Sequence, residues 1–144
     1  MNEDFSVEIR VETPLNNTES FEKIEKAIIT LFFDAKCEVE EGGIKRRVIA
    51  ELEGKKNLSI LYNSFRNQKI LDVARKMIFK GLVGDTFIIY FNKQAAYVGK
   101  IHFSLVDEEI RILGPIKVIV KSNDIEKLIN YLAPETIKGK IIEQ

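Results

Sequence analysis

Phe5, Val7, Ile9 and Val11 alternate with Ser6, Glu8, Arg10 and Glu12. A hydropathy period of two commits this segment to a strand with one face in a core and the other in water. Such a strand is useless alone. It needs neighbours to pair with and a second layer to cover its inner face, and the rest of the chain supplies both. Pro14 and Asn16-Asn17 end the strand.

After it comes the helical spacing Phe21, Ile24, Ala27, Ile28 and Leu31, with Thr18 as the expected N-cap and Glu19 and Glu22 near the positive end of the helix dipole. Ala35, Cys37 and Val39 then alternate with Lys36, Glu38 and Glu40. Gly42-Gly43 suits a two-residue hairpin turn, which would set Glu40 opposite Lys45 and Glu38 opposite Arg47 before a returning strand over 44–52. Residues 57–80 read as helix with a break. The stripe Leu58, Leu61, Tyr62, Phe65 is out of phase with Ile70, Leu71, Ala74, Met77, Ile78, which predicts a kink near Arg66-Asn67-Gln68 with Asn67 capping the second half. Gly81 and Gly84 close it.

Residues 87–91, apolar on both faces, predict a central strand. Asn92-Lys93-Gln94 is a polar break before an expected strand over 97–106. Asp107-Glu108-Glu109 reads as a turn, residues 111–113 as a short strand, and Ile116, Val118 and Val120 as another. Ser122 or Asn123 is expected to cap a last helix that turns Ile125, Leu128, Ile129 and Leu132 inward and stops at Pro134. Residues 135–144 read as a frayed tail. Together these predict a single α+β domain over 1–144, with a mixed, largely antiparallel sheet and helices packed on it.

Composition narrows the function classes. Hydrophobic residues make up 45% of the 144, enough for a substantial core. One cysteine, Cys37, excludes an intramolecular disulfide and a multi-cysteine zinc site, and it falls on the apolar face of its strand as a structural thiol. The acidic opening Met1-Asn2-Glu3-Asp4 lacks the pattern of a secretory leader, and the apolar run 27–33, interrupted by Thr30, is too short to span a bilayer. The expected compartment is the cytoplasm, with no membrane partner. Net charge is zero, but residues 1–42 carry 11 acids and 4 bases whereas 43–80 carry 3 acids and 10 bases. A neutral chain so divided can present a basic patch.

No residue set points to catalysis, a cofactor or a metal. His102 sits on the polar side of its expected strand without a nucleophile at a recognisable spacing. Gly81-Leu82-Val83-Gly84-Asp85 lacks phosphate-loop spacing. The glutamates at 38, 40 and 41 and the acids at 107–109 read as solvated hairpin ends. Basic residues carry more. Lys69, Lys76 and Lys80 share a helix face with Val73, Arg66 lies one turn earlier and Arg75 alongside, a stripe able to track a phosphate backbone or simply to solvate the helix. Asn92, Lys93, Gln94 and Tyr97 combine amide, ammonium and aromatic groups beside a sheet. Single-stranded RNA recognition uses those groups, and an ordinary strand connection can hold them too.

Four strings, Gln68-Lys69-Ile70-Leu71-Asp72-Val73-Ala74-Arg75, Phe91-Asn92-Lys93-Gln94-Ala95-Ala96-Tyr97-Val98-Gly99-Lys100, Leu113-Gly114-Pro115-Ile116 and Leu132-Ala133-Pro134, resemble in that order the archaeal uncharacterised protein family 0201, as does the opening Val11-Glu12-Thr13-Pro14-Leu15-Asn16-Asn17-Thr18-Glu19. The resemblance spans nearly the whole chain. It implies a fold like that of the ribosomal protein that binds five-S RNA, and a place in an RNA-binding, exosome-associated group. It implies no catalytic residues. Three classes of function follow as expectations: an RNA-binding module using the cations and the 92–97 segment, a protein that assembles with itself or a protein partner through a free sheet edge, and an enzyme with an unfamiliar site.

Overall fold

The computed structural model describes residues 5–43, 45–104 and 114–142. The initial alternation becomes β1 (Glu8–Pro14), followed by α1 (Phe21–Leu31), β2 (Glu38–Glu40), β3 (Arg47–Glu53), a 3-10 turn (Lys55–Leu58), α2 (Ser59–Asn67), α3 (Leu71–Lys80), β4 (Leu82–Val83), β5 (Thr86–Phe91), α4 (Lys93–Tyr97), β6 (Ile116–Lys121), α5 (Ile125–Leu132), β7 (Thr136–Ile137) and β8 (Lys140–Ile141). The first six strands form one sheet in the order β2-β3-β1-β6-β5-β4, and every pairing among the described strands is antiparallel.

Side-chain alternation splits this sheet into two unlike faces. Val11 faces Ala50 on one side and Val118 on the other, and Ile9 likewise faces Leu52 and Val120. All of these are buried, in one cluster with Ile24, Ile28 and Leu31 of α1, Leu61 and Phe65 of α2, Ala74 and Ile78 of α3, and Leu128 and Leu132 of α5. The helical stripes read from the sequence therefore cover one face. The other face carries glutamates on β2, β3 and β1 (Glu38, Glu40, Glu51, Glu53, Glu8, Glu12) with Arg10, Arg47 and a buried Ile49, then Lys117, Ile119 and Lys121 on β6 and Thr86, Ile88 and Tyr90 on β5. No described helix covers it. The expectation that 87–91 is buried on both sides is corrected: Phe87, Ile89 and Phe91 are buried, whereas Ile88 and Tyr90 stay half-exposed.

Local details differ from the sequence reading where a distant partner intervenes. Ser20, not Thr18, caps α1 by accepting from the Lys23 amide, and Glu19 turns inward. The first hairpin pairs Glu40 with Arg47 and Glu38 with Ile49, leaving residues 41–46 as the connection in place of a two-residue turn. The shift is by two residues, so each side chain keeps its face. It also places Arg47 where it bridges Glu12 and Glu40. The long helical segment does break, with Lys69 at φ 58°, but Ile70 heads α3 without a side-chain cap, so Asn67 has no such role. Of the strand expected over 97–106, Tyr97 ends the short α4 and the residues up to 104 touch β5 through a bridge from Phe91 to Phe103, while 105 and 106 lie outside the described residues. The Asn92 side chain accepts from the Ala95 amide at 2.8 Å and starts a helix where a polar break was expected. Asp124 caps α5. Asn123 instead exchanges hydrogen bonds with Ser6, and Ser122 accepts from the Asp124 amide. The expected frayed tail holds the β7–β8 hairpin as far as residue 142. The turn at 107–109 and the strand at 111–113 lie outside the described residues.

Gly81 is needed for a steric reason. It ends α3 and its carbonyl accepts from the Ile88 amide at 3.1 Å, so α3 joins the sheet edge directly. A Cβ there would sit 2.0 Å from the Ile88 carbonyl oxygen, and the next nearest atoms are also Ile88 backbone. Gly81→Ala is expected to lower unfolding stability by about 1–3 kcal/mol through overpacking, measured by urea denaturation. An unchanged midpoint would show that α3 can shift away freely.

Candidate nucleic-acid interface

The cations singled out from the sequence divide into two groups once folded. Arg66 and Arg75 are structural. The Arg66 guanidinium donates to the carbonyls of Tyr62, Tyr131 and Leu132, and lies 3.4 Å from the centre of the Tyr62 ring. Arg75 donates to the Ala133 carbonyl at 3.0 Å and to Asn130 at 2.9 Å, and pairs with Glu135. The last carbonyls of a helix have no partner within it. A guanidinium with five donors meets several of these needs at once, so both arginines fasten α2 and α3 to the C-terminal end of α5. Their guanidiniums thus serve as clamps, while Arg66 and Arg75 also border the grooves described next.

Lys69, Lys76 and Lys80 are exposed, with no ion pair among the described residues. The α3 register brings Lys76 and Lys80 to one side with Val73 and Phe79, which are 45% and 46% exposed, and Lys69 stands at the break just before the helix. The β7–β8 hairpin lies alongside. Lys69 and Lys140 line one groove with Asp72 and Thr136, and Lys76, Phe79 and Lys80 line an adjoining groove of about 580 Å³. The acids here are partly engaged, because Asp72 accepts from the Thr136 hydroxyl and Glu135 holds Arg75. Lys140 was missed in the sequence because a frayed tail offers no fixed surface, and Phe79 because it fell between the two apolar stripes.

The 92–97 segment belongs mostly to the interior. The Lys93 side chain is wholly buried, with Nζ 2.8 Å from the Pro14 carbonyl and 3.2 Å from Glu19 Oε1. The Tyr97 hydroxyl donates to the other Glu19 oxygen. Asn92 is spent on its cap. Gln94 alone of the four is exposed, on α4, an element that packs chiefly against α1. Burial pushes the Glu19 carboxyl up. The Tyr97 hydroxyl, the Asn16 amide and the Lys93 ammonium outweigh burial and hold it below the ordinary glutamate range. Burial and the Glu19 charge raise Tyr97, so it remains a donor. The arrangement is a latch between the β1–α1 connection and α4.

The remaining candidates fit structural roles. Cys37 is half-buried, and burial with the nearby Glu25 pushes its thiol up to about 11, away from nucleophilic chemistry. His102 is exposed, and its carbonyl accepts from the Asn92 amide at 2.8 Å. Glu40 is engaged by Arg10 and Arg47. Among the described residues no group of three or more His, Cys, Asp or Glu side chains is placed to hold a metal ion, and no helix is long and apolar enough to cross a membrane.

The latch has a definite pH signature. A depressed folded-state carboxylate contributes stability above its unfolded value of about 4.3 and loses it as pH falls through the folded value. Glu19→Gln should therefore flatten the acid limb of the stability profile, and Lys93→Met, which strands a buried carboxylate, should cost about 3–5 kcal/mol at neutral pH. Urea melts from pH 7 to pH 3 measure both. A Glu19→Gln protein with an unchanged acid limb would remove the latch from the account.

A family model described as RNA binding matches residues 8–122, which include α3 but not the β7–β8 hairpin. The UPF0201 protein of Thermococcus kodakarensis is 40% identical over 136 residues, covering 94% of this chain and 96% of that protein. A UPF0200/UPF0201 protein of Archaeoglobus fulgidus is 38% identical over 142 residues, which cover 96% of this chain but 41% of that longer protein. The crystal structure of the UPF0201 protein from Methanococcus jannaschii is similar with a TM-score of 0.81 at 32% identity, covering 94% of this chain and 99% of that one.

Proposed function

The chain belongs to the UPF0201 family, and on that premise we propose that it binds RNA through the exposed side of α3 and the hairpin beside it, without acting on the RNA chemically. The observation that carries this reading is the set Lys69, Lys76 and Lys80, unpaired among the described residues, with Lys76 and Lys80 sharing a side with the exposed Phe79 ring. Lysines on a helix supply point charges for a phosphate backbone, and an exposed aromatic ring beside them offers a face for an unpaired base. Gln94, on another element, is not part of this surface. The RNA-binding description of the matched family model supports the same reading.

Binding of a single-stranded RNA oligonucleotide, followed by fluorescence anisotropy over a series of salt concentrations, tests it. Each lost phosphate contact on a single strand flattens the log–log salt dependence by about 0.7. The triple variant Lys69→Ala/Lys76→Ala/Lys80→Ala should therefore flatten it by about two units, and Phe79→Ala should weaken binding by about 1–3 kcal/mol. Arg75→Met should lower stability and leave the slope alone. Wild-type affinity and slope in the triple variant would sink the assignment.

A second reading, a protein partner, is favoured by the Archaeoglobus fulgidus relative. Its name joins two families, and this chain matches less than half its length. A domain fused in one organism commonly meets the same domain as a separate chain in another. Size-exclusion chromatography of this protein mixed with a separate UPF0200 protein from the same source checks it, and two peaks at the unmixed positions would dismiss it.

A further inference from the structure

The uncovered face of the sheet is divided by charge along a line between β1 and β6. On the β2, β3 and β1 side lie six glutamates against Arg10 and Arg47, and those two arginines already hold Glu12 and Glu40. On the β6 and β5 side lie Lys117 and Lys121 with Ile119, Ile88 and Tyr90, and no acid among the described residues of these two strands. Lys117 is the cross-strand neighbour of Glu12, and Lys121 of Glu8. Even so, neither lysine forms an ion pair with a described residue, and Glu12, the neighbour of Lys117, is turned to Arg10 and Arg47. A face negative on one half, and positive and apolar on the other, is complementary to itself.

We propose that this face docks a second copy of the same chain, sheet against sheet, about a two-fold axis running along the strands between β1 and β6. The axis follows from the charges. Rotation about that line lays each β1 over the β6 of the other copy at the same level. Glu8 then meets Lys121, Glu12 meets Lys117, and Ile49 meets Tyr90, with the same contacts returned by symmetry. A two-fold across the strands would lay every strand over its own counterpart and glutamate over glutamate, a like-charge contact that costs affinity. A depression of about 450 Å³ at this face, lined by Glu8, Arg10, Glu53, Ile119 and Lys121 among others, leaves room for the opposing side chains.

The size of the face sets the strength. Five strands about 4.8 Å apart and about 20 Å long present on the order of 500 Å² per copy, near the lower bound of about 1,000 Å² in total for a specific interface. The dimer is therefore reversible, and it weakens with salt because its rim is ionic. Of the lysines proposed for RNA, Lys80 shares a pocket with Ile88 and Tyr90 of this face, whereas Lys69 and Lys76 line grooves that none of its residues enters.

Charge exchange tests the pairing. Lys117→Glu/Lys121→Glu makes the face acidic throughout, and Glu8→Lys/Glu53→Lys makes it more basic without touching the Arg10–Glu12–Arg47–Glu40 contacts. Sedimentation velocity at low salt should show a wild-type dimer that dissociates between about 0.05 and 0.5 M salt, monomers of each variant alone, and recovery of dimer when the two variants are mixed one to one. Circular dichroism melts confirm that both variants fold. The proposal is overturned by a wild-type monomer at every concentration, by a dimer indifferent to both variants, or by a mixture that stays monomeric. A monomer whose RNA affinity falls in Lys117→Glu/Lys121→Glu would give the face to RNA instead.

Discussion

The structure depends on β1 being paired along its length on both sides. β3 and β6 fix its register, and that register places Val7, Ile9 and Val11 together under the helices and leaves Glu8, Arg10 and Glu12 outside. A slip by one residue on either side would exchange these sets and put charge into the core. The helices do not need to recognise the sheet in detail. They need an apolar stripe, and α1, α2, α3 and α5 each have one. Since all of them settle on the same face, the opposite face keeps whatever the alternation put there, including its uneven charge.

Side-chain chemistry decides which cations reach solvent. Arg66 and Arg75 lie on the polar sides of their helices, as lysine does, yet they are drawn to the end of α5 because a rigid five-donor fork satisfies carbonyls that a single ammonium would leave partly unmet. Lysines at 69, 76 and 80 have no such target and stay free. Lys93 shows the opposite extreme: an ammonium enters the interior only where a carboxylate, a carbonyl and the surrounding chain receive it together. Counting positive residues along the middle of the chain therefore overstates the positive surface.

What the sequence disclosed was periodic. The alternation of β1 and β6, the stripes of α1 and α5 and the phase change that becomes the break at Lys69 could all be read without partners in view. What it withheld depends on residues far apart. Thr18 and Ser20 are equally good caps until Glu19 is pulled inward by Lys93, 74 positions away. Arg66 and Arg75 look like a solvated stripe until α5 arrives, 65 and 58 positions on. Of the candidate interface, the lysine spacing was legible and the company it keeps was not, because the hairpin from Thr136 carries too few apolar residues to announce itself. Asn92 is a different case. Its cap is local, and an asparagine followed by Lys-Gln-Ala-Ala and a glycine at 99 is a helix signal that the strand-like residues on either side obscured.

The central place of β1 also has a consequence for synthesis. β1 leaves the ribosome well before its partner β6, and Ser6 finds Asn123 only 117 positions later. Until β6 is made β1 has one bare edge, with only β3 paired to the other. Pairings of such long range are slow to close and leave strand edges open to wrong neighbours. Glu8, Arg10 and Glu12 along its outward side are then charges on a half-paired strand, the kind of residue that discourages edge-to-edge sticking until β6 appears.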